Sequence, residues 1–248
     1  MKQNFSLLYE MKNHRHHTDP CPNLFFSEED GFRYLHFDSP WIQGAMKVGR
    51  PFELVLEYPR QMMACGLFYP QPSQIVQLGL GAASLTKFCW KHTEARIDVA
   101  EISPNVVMSA HQWFKCPMPD ARLSIHLADA KEFIAARCDF NPCDWLQVDI
   151  YDQDARGPVY DDADFYRLCR RAMNKGGAVA SFNLFGSRFE KSFSAINEAF
   201  EGRTLVMPEI DEGNRVVLAF AGKKLQTSLD ELYERAQWLR SSWKLGAI

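Results

Sequence analysis

Apolar and polar positions follow one rhythm up to about Pro72 and a different one beyond it. The earlier stretch reads as strands: Leu24-Phe25-Phe26, then Phe32-Arg33-Tyr34-Leu35-His36-Phe37 with partial alternation, then Trp41-Ile42-Gln43 after an Asp38-Ser39-Pro40 turn. Such runs, separated by turn residues, predict a short antiparallel sheet. From Phe52 to Phe68 the apolar residues are irregularly spaced. Pro59 interrupts helical backbone, so the expected helix runs from about Arg60 to Phe68.

Two prolines in Tyr69-Pro70-Gln71-Pro72-Ser73 favour extended backbone and mark a boundary, with an N-terminal β region at 1–72 and a Rossmann-like domain at 73–248. Past that boundary, short buried-type runs alternate with segments of helical period. Strands are expected at Gln74–Leu78, Arg96–Ala100, Leu123–Leu127, Trp145–Val148 and Ala178–Phe182. The intervening helices are expected at Ser84–Lys91, Pro104–Trp113, Ala130–Arg137 and Asp164–Met173, the last ending in Lys175-Gly176-Gly177. Strand followed by helix, repeated, is the pattern of a doubly wound parallel sheet. A helix at Ser187–Phe200, an antiparallel pair at Thr204–Met207 and Arg215–Ala221, and a final helix at Thr227–Trp243 with Ser228 as its cap complete the expectation. The fold class is therefore α/β: a seven-stranded Rossmann-like sheet of the methyltransferase type with a small N-terminal β region.

Composition narrows the function classes. The chain has 248 residues, 46% hydrophobic and 24% charged, enough to bury a large core. Its formal net charge of -3 supplies no basic field for a phosphate backbone, which points to a small molecule and away from nucleic acid. Seven scattered cysteines without paired spacing read as reduced thiols in a cytoplasmic protein and not as disulfides or a zinc site. No apolar run is long enough to span a bilayer, and Met1–Met11 lacks the apolar stretch of a signal peptide, so no membrane partner is expected. His14-Arg15-His16-His17, flanked by prolines, reads as a solvated stretch, and no metal is expected.

The candidate chemistry gathers at strand ends. Gly79-Leu80-Gly81-Ala82-Ala83-Ser84 follows the first parallel strand and opens a helix, where glycines let backbone approach a cofactor. A tight turn needing glycine for its backbone angles would read the same way, and Ser84 in place of a third glycine argues against a pyrophosphate-binding NAD site. Glu101 ends the next strand, where an acid accepts from a ribose hydroxyl pair; a surface acid near a helix start is the plainer alternative. Asp129-Ala130 follows the third strand, where the acid accepts from an adenine amine or simply caps the helix. Three such signals on one rim of a parallel sheet point to an adenosyl site. After the fourth strand, Asp149-Ile150-Tyr151-Asp152, followed by Gly157-Pro158, sets two acids three apart, suited to orienting or deprotonating a cationic amine.

This ordered set resembles the spermidine synthase family of polyamine aminopropyltransferases. The likeness runs over roughly residues 24 to 222 and rests on Gly79, Gly81, Glu101, Asp129, the Asp149-Ile150-Tyr151-Asp152 loop and Asp164-Phe165-Tyr166 to Gly176-Gly177. The resemblance implies that Glu101 holds the ribose and Asp129 with Ala130 the adenine, that Gln43 contacts the cofactor from the N-terminal sheet, that Asp149 is the base, and that Asp152 helps bind the amine. It further implies decarboxylated S-adenosylmethionine or S-adenosylmethionine as co-substrate, a small-molecule amine as partner, and a homodimer. Three positions depart from the family pattern. Ala82 stands where the family has an acid for the aminopropyl ammonium, Ser103 replaces a common acid, and Pro59 falls where a catalytic tyrosine is expected. Three activities stay open: aminopropyl transfer, methyl transfer from intact S-adenosylmethionine, and nucleoside binding without catalysis.

Overall fold

The computed structural model describes residues 24–37, 42–138, 140–151, 158–224 and 226–245. Three strands, β1 (Leu24–Glu29), β2 (Phe32–Phe37) and β3 (Ile42–Lys47), form an antiparallel sheet. β1 and β2 turn at Asp30-Gly31, where both residues have positive φ. Trp41 and the Asp38-Ser39-Pro40 turn lie outside the described residues.

The helix expected from Arg60 begins earlier and breaks in two: α1 spans Glu57–Met62 and α2 spans Cys65–Phe68. Pro59 sits in the first turn of α1, where a backbone N–H has no partner within the helix, so its missing donor costs nothing. Tyr58, one position before it, is thereby fixed on a helix.

Seven further strands form one sheet, in the order β6-β5-β4-β7-β8-β10-β9. They are β4 (Gln74–Leu78), β5 (Arg96–Glu101), β6 (Leu123–Leu127), β7 (Trp145–Val148), β8 (Ala178–Phe185), β9 (Thr204–Val206) and β10 (Asn214–Ala221). The pairings from β6 through β8 are parallel; β10 runs antiparallel to both β8 and β9. The last strand therefore inserts inside the sheet and leaves β9 at the edge. The crossover helices are α3 (Ser84–His92), α4 (Pro104–Gln112), α5 (Ala130–Arg137), α6 (Ala163–Arg171) and α7 (Phe189–Ala199), with α8 (Leu229–Trp243) last. Ser103, Asp129, Asp162 and Ser228 cap α4, α5, α6 and α8 with their side chains. Ser103 thus has a structural use where the family pattern has an acid.

Alternate residues of the parallel strands feed two cores. Ile75, Ile97, Trp145, Val179 and Leu218 face one side, with α1, α2, α3, α4, α8 and Leu24, Phe26 and Leu35 of the N-terminal strands. Val76, Ala100, Leu146, Ala180 and Val217 face the other, beneath α5, α6 and α7. Six cysteines among the described residues are free and buried. No helix among the described residues is long and apolar enough to cross a membrane.

Candidate active site

Parallel strands end on one rim, and there the β4–α3 loop must pass β7 closely. Gly79 has φ +92° beside that strand, and a Cβ on it would stand 2.2 Å from the Asp149 carbonyl oxygen. Gly81 has φ +50° and Ala83 is also left-handed, so the loop folds back on itself before α3 begins. Glu101, at the end of β5 and 9% exposed, accepts from the Leu80 N–H at 3.0 Å and from the Ser103 N–H at 2.9 Å. Burial pushes its carboxyl up, while the surrounding backbone N–H groups of Ser103, Leu80, Ile102 and Gly81 pull it down.

A cavity of about 430 Å³ opens on this rim. Gln43, Gly79, Gly81, Glu101 and Asp149 all line it, so five of the residues singled out from sequence converge. The Nε2 of Gln43 is buried without a hydrogen-bond partner among the described residues, a donor left for a ligand. Asp129 is not among the lining residues. Its Oδ1 accepts from the Lys131 and Glu132 N–H groups as the cap of α5, and its Oδ2 accepts from the Tyr160 hydroxyl, with buried Ala130 following it. Asp152 and Gly157 lie outside the described residues.

Asp149 is the best-held acid of the set. Its Oδ2 accepts from the Tyr58 hydroxyl at 3.1 Å and its Oδ1 from the Asn183 amide at 2.9 Å. Asn183 is oriented in turn by Asn214, whose Nδ2 donates to its Oδ1 at 3.0 Å. Burial raises the Asp149 carboxyl above the usual aspartate range, and the bonds from Asn183 and Tyr58 work against that rise. Burial, followed by the neighbouring Asp149 charge, pushes the Tyr58 hydroxyl far up, so it stays a neutral donor. The result is a deep carboxylate with a raised proton affinity facing a partly apolar cavity walled by Phe37, Ile42 and Phe185.

Tyr58 is the residue that sequence reasoning missed, because Pro59 occupies the expected tyrosine position. The helix starts at Glu57 and delivers a tyrosine one residue earlier. Asn183 and Asn214 were missed as well. Their signal was a polar amide in or at the edge of otherwise apolar strands, Ser181-Phe182-Asn183-Leu184 and Asn214-Arg215-Val216-Val217.

Ala82 has a physical explanation. It is buried, and a Cβ built on Gly44 of β3 would come within 2.6 Å of the Ala82 Cβ. The glycine loop is thus pressed against the N-terminal sheet at a point with no space for a carboxylate. Among the described residues the acids on the cavity are Glu101, Asp149 and the exposed Glu212 of the loop before β10.

The geometry gains its context from comparison with known proteins. A polyamine aminopropyltransferase of Neisseria meningitidis serogroup A is 31% identical over 229 residues, which cover 90% of this chain and 86% of that protein. The chain belongs to the polyamine aminopropyltransferase family. Another member, from Chromobacterium violaceum, is 30% identical over 230 residues, covering 92% of this chain and 87% of the relative. No family model matches. Among solved structures, spermidine synthase from Thermotoga maritima aligns with a TM-score of 0.59 at 17% identity, over 91% of this chain and 90% of that one. Human methyltransferase-like protein 13, in complex with SAH, aligns with a TM-score of 0.65 at 22% identity, over 77% of this chain and 93% of that one. Both likenesses concern the fold: a seven-stranded methyltransferase-type sheet preceded by a small antiparallel one.

Proposed function

We propose that this family member transfers an aminopropyl group from decarboxylated S-adenosylmethionine to a small amine, with Asp149 as general base. The observation that carries the reading is the Asp149 carboxylate, held between Tyr58 and Asn183 on the same cavity as Glu101 and the glycine loop. An aliphatic amine has a pKa near that of lysine, about 10, and attacks only through its free lone pair. Asp149 attracts the ammonium and accepts its proton; the nitrogen bonds to the carbon beside the sulfonium, and the carbon–sulfur bond breaks to release methylthioadenosine. Burial favours this exchange, since the raised proton affinity of Asp149 narrows its gap from the amine.

The residues present fit an adenosyl group. Glu101 would hold the ribose hydroxyls from the end of β5, the glycine loop admits close backbone approach, and the Gln43 Nε2, without a partner among the described residues, offers a donor from β3. Asp129 with Ala130 would meet the adenine at the end of β6 through the Asp129 oxygen now shared with Tyr160. Asp152 is assigned to the amine by family pattern. The buried free thiols fit a reducing, cytoplasmic setting.

A second reading is favoured by one observation. Ala82, packed on Gly44, supplies no counter-charge for an aminopropyl ammonium, whereas intact S-adenosylmethionine carries its own carboxylate and suits a methyltransferase. Calorimetry with S-adenosylmethionine, its decarboxylated form and methylthioadenosine, followed by mass spectrometry of amines incubated with each donor, separates the two. An amine heavier by one aminopropyl group supports the first reading and a methylated amine the second. Binding without turnover would overturn both.

A further inference from the structure

The opposite rim of the sheet carries a second cavity of about 680 Å³, lined by Arg167, Arg170, Arg171, Lys175, Arg203 and Lys223 together with Met173, Ala199, Ala221 and Gly222. Among the described residues six cations and no acid line it, in a chain whose formal net charge is -3. Composition alone does not produce such a concentration. The cavity lies beside the start of β8, where Ala221 pairs with Ala178, whereas the site described above lies at the other end, beside Asn183. Five residues of strand separate Ala178 from Asn183, roughly 17 Å.

Backbone holds the cationic groups in place. Arg203 donates through Nη1 to the Gly222 carbonyl at 2.8 Å, and Arg170 donates through Nη1 to the Ala199 carbonyl at 2.9 Å. Gly222 is fixed in turn: its φ is +75°, and a Cβ there would lie 2.6 to 2.7 Å from Gly177 N, Asn174 O and Lys175 O. Carboxylates from outside the lining touch two of the arginines. Asp164 and Glu198 bond Arg167 at 2.6 and 2.9 Å, and Glu201 bonds Arg170 at 2.7 Å. Their side chains are 82%, 65% and 66% exposed, so these are solvent-screened pairs that a multivalent anion can outcompete.

We infer that this cavity is a binding site for an oligophosphate, distinct from the candidate active site. A single phosphate would engage one or two of these groups. Cations spread over α6, the turn before β8, the start of β9 and the end of β10 match several linked phosphates, and guanidinium forks match their oxygens in pairs. The small apolar floor of Met173, Ala199 and Ala221 leaves room beside the phosphates for an attached nucleoside.

The full-length protein is titrated by calorimetry at 0.15 M salt with tripolyphosphate and, separately, with ATP. Saturable one-site binding of tripolyphosphate, or of ATP in the presence of saturating methylthioadenosine, supports the inference; equal affinities mean that the phosphate chain alone is read, and binding of ATP only, undisplaced by methylthioadenosine, means that the nucleoside is read too. In the Arg203→Ala/Lys223→Ala variant the affinity is expected to fall at least tenfold, with partial recovery in Arg203→Lys/Lys223→Ala. Arg50→Ala, far from the cavity, is expected to bind as the parent does. Circular dichroism confirms that each variant is folded, and binding of methylthioadenosine at the other rim is expected to be unchanged. No binding of either probe, or binding unaltered in the folded double variant, would overturn the inference.

Discussion

The Tyr58 hydroxyl reaches Oδ2 of Asp149 across 3.1 Å, joining the first helix of the chain to the end of a strand 91 residues later. That bond favours the charged carboxylate, opposing the burial that disfavours it. Replacing Tyr58 with Phe removes the donor and keeps the ring. Asp149 should then hold its proton more tightly, and the acidic limb of the kcat/KM profile should move to higher pH, with turnover at neutral pH falling about tenfold. A profile that keeps its position would remove Tyr58 from this role.

Asp149→Asn should lower turnover by roughly 10²- to 10⁴-fold while leaving methylthioadenosine binding nearly unchanged by calorimetry. The same change should make the protein more stable at neutral pH. Burial gives the folded state the higher proton affinity at Asp149, so the native carboxylate costs stability once pH rises above the ordinary aspartate range, fully so beyond its raised pKa. The gain in melting temperature over the parent should therefore appear at pH 7 and shrink as pH falls through that range, which thermal melts at several pH values would reveal.

In the parent, kcat/KM should decline as pH drops through a value above the usual carboxylate range, because the protonated acid cannot accept the amine's proton. An acidic limb at an unperturbed aspartate value would place the base elsewhere.

Gly79→Ala should damage both fold and site. The new Cβ meets the Asp149 carbonyl oxygen at 2.2 Å, in a backbone conformation that alanine rarely adopts. The expected cost is about 2 kcal/mol or more, a fall of several degrees in melting temperature, with loss of nucleoside binding.

Much of the sheet was legible because its strands are short, largely apolar runs bounded by glycines, capping residues and prolines. Gln74–Leu78, Leu123–Leu127 and Trp145–Val148 run as their apolar patterns predict, and so does the capped helix Ala130–Arg137. Short elements were harder. The six-residue α1 is too brief for a period to emerge, and Pro59 looked like a barrier because its place in the first turn depends on where the helix starts. The insertion of β10 between β8 and β9 rests on pairing between distant segments, for which local pattern carries no signal. At the site, Gly79, Gly81, Glu101 and Asp149 followed from rules about strand ends and Gln43 from the family resemblance, while Tyr58, Asn183 and Asn214 meet Asp149 only through the tertiary fold.

The reversed direction of β10 has a consequence for how such a site can diversify. Every parallel strand reaches the rim with its last residues, but β10 arrives with its first, so Asn214 and the preceding Glu212 line the same cavity as the glycine turn and Glu101. Insertions or replacements in segment 207–213 would remodel one wall of the cavity and leave the glycine turn and Glu101 in place. One hinge of topology thus lets a wall of the cavity vary independently of the parallel strand ends that face it.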